Sequence, residues 1–292
     1  MTNSERIVME AISTSTRNIT NIPTNKLHDF EGHPYKVDNN EEMQKLVDSI
    51  KEQGVISPIV VRRKDNTADE YEVISGHRRL FASRVAGLSS VPAVVLELDK
   101  NEAAIAVVDS NLHREQLFPS EKAFAYKMKM EALKAQGRLG GQVGHKSRDS
   151  ISDTDSGRQV QRYIRLTYLI PELLHLVDKS RIAFSVGVEL SYLSEQEQAD
   201  LFEAIDMEDK TPSLSQAMQL KKLSLSRKLD SEIIVKMICE DKPNQREKIS
   251  FNYEDISKYF PSHNTKDIYN RIMKLVEDDY RKRIRRQNRD ER

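Results

Sequence analysis

Three short stretches of this 292-residue chain combine residue types that can bind phosphate or read nucleic acid. The most regular is SGRQVQRYIRLTYL, residues 156–169. Ser156 is suited to cap free backbone N–H groups at a helix start, and Val160, Tyr163, Ile164 and Thr167 recur at i, i+3, i+4 and i+7, as a buried helix face does. Arg158, Arg162 and Arg165 fall on the opposite side, where they can meet a phosphate backbone. Gln159 or Gln161 can present a carboxamide to an adenine edge, and an arginine can grip guanine in the same two-pronged way. The candidate DNA-binding residues are therefore Ser156, Arg158, Gln159, Gln161, Arg162 and Arg165. The same pattern also suits an amphipathic helix whose charged side is merely solvated.

The second stretch, SGHRRLFASRVAG, runs from a glycine turn into a helix pattern. Gly76 permits close backbone approach, the helix amino end attracts anions, and Arg78 and Arg79 add charged donors. The third, DSNLHR at residues 109–114, places Asn111 and Arg114 at a helix junction. The Asn111 amide can coordinate a metal or hold a phosphate-bearing ligand, while Arg114 can neutralise charge; both can equally cap the turn and pair with acids.

The elements that must position these residues are legible in the periodicity. Residues 1–20 are polar and read as a flexible arm. Residues 19–27, ITNIPTNKL, carry apolar anchors for a domain edge. Residues 40–53 show helix spacing through Met43, Leu46, Val47 and Ile50, and Gly54 can end that helix. Residues 55–62, 71–74 and 91–97 read as strands, with Pro58 tolerated near a strand start or at an edge. From residue 101 strand signals fade, and helices are expected at 102–109, from Pro119 to 134, from Pro171, and at 185–193, 195–205 and 212–223. Residues 137–152 contain four glycines and read as a flexible connection or a loop ordered by DNA. Residues 233–238 and 268–276 are apolar-patterned, and residues 251–260 hold four aromatics.

Composition narrows the classes. The 46 basic and 46 acidic residues cancel, yet charge is local: the last 12 residues carry 7 arginines or lysines against 2 acids. A single cysteine, Cys239, excludes an internal disulfide or a cysteine-rich zinc site and suits a reducing cytoplasm. No apolar run of bilayer length interrupts the sequence, and the polar opening lacks the apolar core of a secretion signal, so no membrane insertion is expected.

Taken in order, ISPIVVRR, SGHRRLFA, SNLHRE and SGRQVQRYIRL resemble the ParB/Noc partition-protein family, especially its plasmid and mobile-element members, over roughly residues 20–225. The resemblance implies an α+β fold: a flexible arm (1–20), a small mixed α/β nucleotide-binding domain (21–100), an all-helical domain with a helix-turn-helix (101–228) and a small C-terminal self-association domain (229–292). It implies CTP and Mg²⁺ as cofactors. The implied partners are double-stranded DNA, a second copy in a homodimer and a ParA-like ATPase, in the cytoplasm on nucleoid or plasmid. Gly76, His77, Arg78, Arg79, Asn111 and Arg114 would bind nucleotide, with Asn111 at the metal. The chain departs from the family's Gly-Glu-Arg-Arg-x-Arg box at His77 and Phe81. Ser110 replaces the acid of the second box, so Asp109, another acid or more ligand oxygens would have to serve a hard cation. The implied function is a sequence-specific DNA-binding partition or nucleoid-associated protein acting as a CTP-responsive clamp, with slow DNA-stimulated CTP hydrolysis at most. The alternatives are a nucleotide-independent transcriptional or plasmid-copy regulator and a ParB-fold nuclease or phosphotransferase.

Overall fold

The computed structural model describes residues 19–35, 37, 39–65, 69–112, 117–137, 151–152, 155–239 and 265–290. Arg114, the aromatic stretch at 251–260 and most of the glycine-rich connection lie outside the described residues. The chain divides into two compact units, the first ending at residue 240.

The first unit opens with a five-stranded mixed sheet of β1 (Ile19–Pro23), β2 (Leu27–Asp29), β3 (Ile59–Arg63), β4 (Tyr71–Ser75) and β5 (Ser90–Leu96), in the order β1-β5-β3-β4-β2. The β1–β5 and β3–β4 pairs are antiparallel; the β3–β5 and β2–β4 pairs are parallel. The stretch expected to anchor an edge supplies both edges, joined by the turn Thr24–Lys26, and β1 takes up the last two residues of the expected arm. Ile22 and Leu27 are buried there. β3 is central, and it starts immediately after Pro58 rather than at Val55, because proline has no N–H to give a ladder with neighbours on both sides. Ile59, Val60, Val61, Val73 and Ile74 are 0% exposed, so β3 and β4 are covered on both faces. Each such side chain contributes about 1.5–3 kcal/mol by leaving water.

Helix α1 (Glu41–Gln53) is capped by Asn40, whose side chain accepts the Met43 N–H at 3.0 Å, and ends at Gly54 with φ of 71°. Its Met43, Val47 and Ile50 pack with Ala82 of α2 (His77–Val85). The one cation buried in the central strand, Arg62, is matched: Nε donates to Glu72 at 2.8 Å and Nη1 to Asp65 at 3.0 Å.

The rest of the unit is helical: α3 (Lys100–Asp109), α4 (Pro119–Ala135), α5 (Gly157–Leu166), α6 (Pro171–Asp178), α7 (Phe184–Leu190), α8 (Glu195–Glu208), α9 (Leu214–Leu225) and α10 (Ser231–Cys239). One apolar cluster joins Val60 and Ile74 of the sheet to α3, α4, Ile151 and the Val160 and Ile164 face of α5. The expected domain boundary at 100 thus falls inside a continuous core. A second cluster unites α6 to α10, including Ile234, Met237 and Ile238, so helical packing also runs past the boundary expected at 229. Ile151, in the stretch read as a flexible connection, is 0% exposed, because an isolated branched side chain beside α4 and α5 finds a pocket that local polarity does not reveal.

The second unit is described only at helix α11 (Thr265–Asp290), which spans the apolar pattern expected at 268–276. The fold is α+β, a small mixed α/β layer followed by helices and a C-terminal helical segment. No helix among the described residues is long and apolar enough to cross a membrane.

Candidate phosphate and nucleic-acid interfaces

Gly76 caps α2 in the left-handed region, with φ of 105° and its carbonyl accepting the Leu80 N–H at 3.0 Å. A Cβ there would stand 2.8 Å from Ile59 Cγ2 and 3.2 Å from Arg79 Nη2, so both the backbone conformation and the space demand glycine. The first N–H groups of α2 follow directly, with no side-chain cap.

Arg79 turns back from α2 to the loop before β3, where Nη1 donates to the carbonyls of Ser57 and Pro58, each at 2.6 Å, and to Ser57 Oγ at 3.0 Å. These acceptors are neutral. Burial lowers the Arg79 guanidinium below the ordinary arginine pKa, and no carboxylate among the described residues offsets it. Arg78 is more exposed and faces Glu42 of α1 at 3.4 Å.

His77 is buried, its ring tilted 36° against that of His33 with centroids 3.7 Å apart. His33 in turn meets the Tyr35 ring edge-on at 5.5 Å, and the Tyr35 hydroxyl donates to the Val108 carbonyl at 3.3 Å. This chain of contacts links the glycine turn to the end of α3, where Asn111 follows. Neither His33 nor Tyr35 belongs to a periodic pattern, so no local signal in the sequence marks either.

Asn111 is buried, its Nδ2 donating to the Val107 carbonyl at 2.9 Å and to Ser110 Oγ at 3.1 Å, so half of its amide is spent on closing the helix. Asp109, the acid that a metal would need in place of Ser110, is 2% exposed and paired with Lys129 of α4 at 2.5 Å. No group of three or more metal-ligating side chains occurs among the described residues. The described residues therefore fit a polyphosphate better than a hard divalent cation, for which Mg²⁺ sites supply one or two carboxylates beside phosphate oxygens.

Helix α5 begins as its sequence dictates: Ser156 Oγ accepts the Gln159 N–H at 3.3 Å. Its start is also held from α4, where Tyr126 bonds Ser152 at 3.1 Å and Lys122 pairs with Asp155 at 2.7 Å. Val160 and Ile164 are buried and Arg158 is exposed, as the spacing requires. Gln159 and Gln161 are half-buried, and Gln159 Oε1 accepts from Arg162 at 3.3 Å. Arg162 lies over the Phe184 ring at 4.9 Å. Arg165 is anchored: Nε donates to Ser191 Oγ at 3.0 Å and Nη2 to the Ser191 carbonyl at 2.7 Å, while its guanidinium is 3.9 Å from the Tyr192 ring and 4.6 Å from the Tyr168 ring. The turn after α5 is closed by Gln198 of α8, which accepts from Ile170 N at 2.9 Å and donates to the carbonyls of Tyr168 and Leu193, both at 3.0 Å. Gln198, Tyr192 and Phe184 carry no motif signal; only their proximity in space gives them these partners.

A family model described as the ParB N-terminal domain matches residues 9–112. The chromosome-partitioning protein Spo0J of Thermus thermophilus is 30% identical over 215 residues, covering 73% of this chain and 74% of its own length. A probable plasmid-partitioning protein ParB of Thermus thermophilus is 44% identical over 82 residues, 28% of this chain and 27% of its own. The crystal structure of C-terminally truncated ParB from Caulobacter crescentus complexed to the centromeric parS site is similar with a TM-score of 0.41 and 23% identity, covering 70% of this chain and 98% of that one. Chromosomal and plasmid proteins stand together among these relatives, so the narrower kinship expected with plasmid and mobile-element members is not singled out. On the length and identity of the match to Spo0J, the chain belongs to the ParB family of DNA-partitioning proteins.

Proposed function

We propose that this protein binds double-stranded DNA sequence-specifically through α5 and closes around it as a homodimer in response to CTP. The observation that carries the nucleotide half is Arg79, a half-buried cation whose acceptors among the described residues are all neutral, set beside the obligatory glycine turn and the uncapped amino end of α2. A bound triphosphate supplies Arg79 with the negative charge that no carboxylate among the described residues gives it. Gly76 admits it to the α2 backbone, Arg79 and Arg78 hold its oxygens, and His77 relays its position through His33 and Tyr35 to Val108 and the turn bearing Asn111. Arg114 completes the set by sequence. In α5, Arg158 with Gln159 and Gln161 are the base-reading candidates, because Arg162 and Arg165 are already stacked and bonded to α7 and its following turn. The second copy is met by α11, whose Tyr269, Met273, Val276 and Tyr280 recur at the 4-3-4 spacing of a coiled-coil seam and are 63%, 43%, 58% and 64% exposed.

With Asp109 engaged by Lys129, the reading needs nucleotide binding and closure, with Mg²⁺ aided chiefly by phosphate oxygens and hydrolysis slow. The site of action is then nucleoid or plasmid DNA in the cytoplasm, where a ParA-like ATPase would act on the bound complex. The test is site-specific crosslinking of the N-terminal unit across the dimer, with introduced cysteines in a Cys239→Ser background, using parS and scrambled duplexes with and without CTP. Crosslinking should rise only with both parS and CTP. Equal crosslinking in all four mixtures, with specific DNA binding intact, would favour the nucleotide-independent regulator.

A further inference from the structure

On the flank of α5 five side chains from four parts of the fold stack in one row. Lys127 of α4 lies 5.9 Å from the Tyr168 ring, Arg165 sits between Tyr168 at 4.6 Å and Tyr192 at 3.9 Å, and Lys221 of α9 closes the row 3.5 Å from Tyr192. Among the described residues the one ion pair made by these cations is that of Lys221 with Glu189, at 2.9 Å. Three cations against one carboxylate leave the row positive. The rings are open to solvent, Tyr168 at 58% and Tyr192 at 38% exposure, although aromatic rings flanked by aliphatic stems usually bury more. The Ser191 bonds use Nε and Nη2 of Arg165, and among the described residues Nη1 has no acceptor.

A core-packing role does not call for this arrangement: apolar groups would fasten α5 to α7 and α9 without gathering cations at the surface. Stacking holds each long side chain in one place, so the entropy of ordering it is already spent when an anion arrives. The row also continues from the reader helix itself, since Arg165 is its last basic residue. We infer that Lys127, Arg165 and Lys221, held by Tyr168 and Tyr192, form a phosphate-binding ridge that grips the DNA backbone beside the bases read by the start of α5. This rests on the DNA-binding reading above and adds to it a surface that positions without reading sequence.

The experiment is equilibrium binding of the full-length protein to parS and to a random-sequence duplex across a salt series. Neutralising two ridge cations, in the Lys127→Gln/Lys221→Gln double variant, should flatten log K against log salt by about 1.8 for each DNA-bound subunit, from about 0.9 per phosphate contact, on both duplexes alike. Preference for parS should stay unchanged. Glu189→Gln, which removes the carboxylate paired with Lys221, should tighten binding to both duplexes; a ridge that merely holds helices together would give no change or a loss. Melting temperatures near wild type show that the double variant is folded, and the Glu189→Gln result decides if it is not. Wild-type slopes in the double variant, or no tightening with Glu189→Gln, overturn the ridge while leaving DNA binding in place. A wild type that binds neither duplex overturns the DNA-binding reading itself.

Discussion

Arg79 and Gly76 form one unit at the residue scale, because the space a Cβ would need at residue 76 is bounded by the Arg79 guanidinium. Arg79→Ala should weaken CTP binding by tenfold to a hundredfold, in line with about 1.5–3 kcal/mol for a hydrogen bond to a charged group, with the fold retained. Titration calorimetry checks this, and unchanged affinity would remove Arg79 from the site. Gly76→Ala should cost more than binding. Left-handed backbone strain of about 1–2 kcal/mol adds to about 1–3 kcal/mol of overpacking against Ile59, so urea unfolding should show a lower midpoint as well as lost affinity. The glycine turn that opens α2 ahead of the arginine pair was legible from sequence. The His77–His33 contact was not, since a residue 44 positions away meets the turn only through the path of the loop after β2.

Between elements, the decisive contacts are polar and buried. The Lys129–Asp109 pair ties α4 to the end of α3, with both side chains nearly closed to water. Lys129→Ala strands a buried carboxylate and should destabilise by about 3–5 kcal/mol, whereas Lys129→Met with Asp109→Leu should recover most of that loss, because the paired charges gain little over apolar packing once desolvation is counted. Chemical denaturation of the single and double variants measures both. Gln198→Leu leaves the Tyr168 and Leu193 carbonyls and the Ile170 N–H without their partner, at about 1–3 kcal/mol for each group kept from water. The expected result is faster amide exchange in the turn after α5 and weaker DNA binding, and protection unchanged at residues 168–170 would count against it. Helix starts at Asn40, Pro119, Ser156 and Pro171 could be placed from sequence because capping and the fixed proline φ are local. Neither Lys129 nor Gln198 could be, as a polar residue on a helix becomes a core residue only through what packs over it.

At the scale of the whole molecule, the chain separates a first unit that carries both candidate interfaces from a second that presents an apolar seam. Met273→Asp with Val276→Asp should shift full-length protein toward monomer in concentration-dependent sedimentation while the first unit keeps its melting transition. Retention on end-blocked DNA should fall with it. A dimer that survives this pair of charges would place self-association elsewhere.

Local devices are written in the residues: a glycine turn before paired arginines, a serine-capped basic helix, strands of branched residues and the breaks between them. These follow from backbone geometry and periodicity, which act over a few residues. The ParB family was likewise legible, because its motifs keep their order along the chain. The tertiary structure decided which candidates are free to act. It placed Pro58 just ahead of the central strand, gave residues 19–29 to both sheet edges, and spent Asp109 on Lys129. It also turned Arg165 from a bare cation on a helix face into a bonded and stacked one. Those outcomes depend on burial and on partners tens of residues away, and the cost of leaving a buried charge or polar group unpaired fixes them only once the chain has closed on itself.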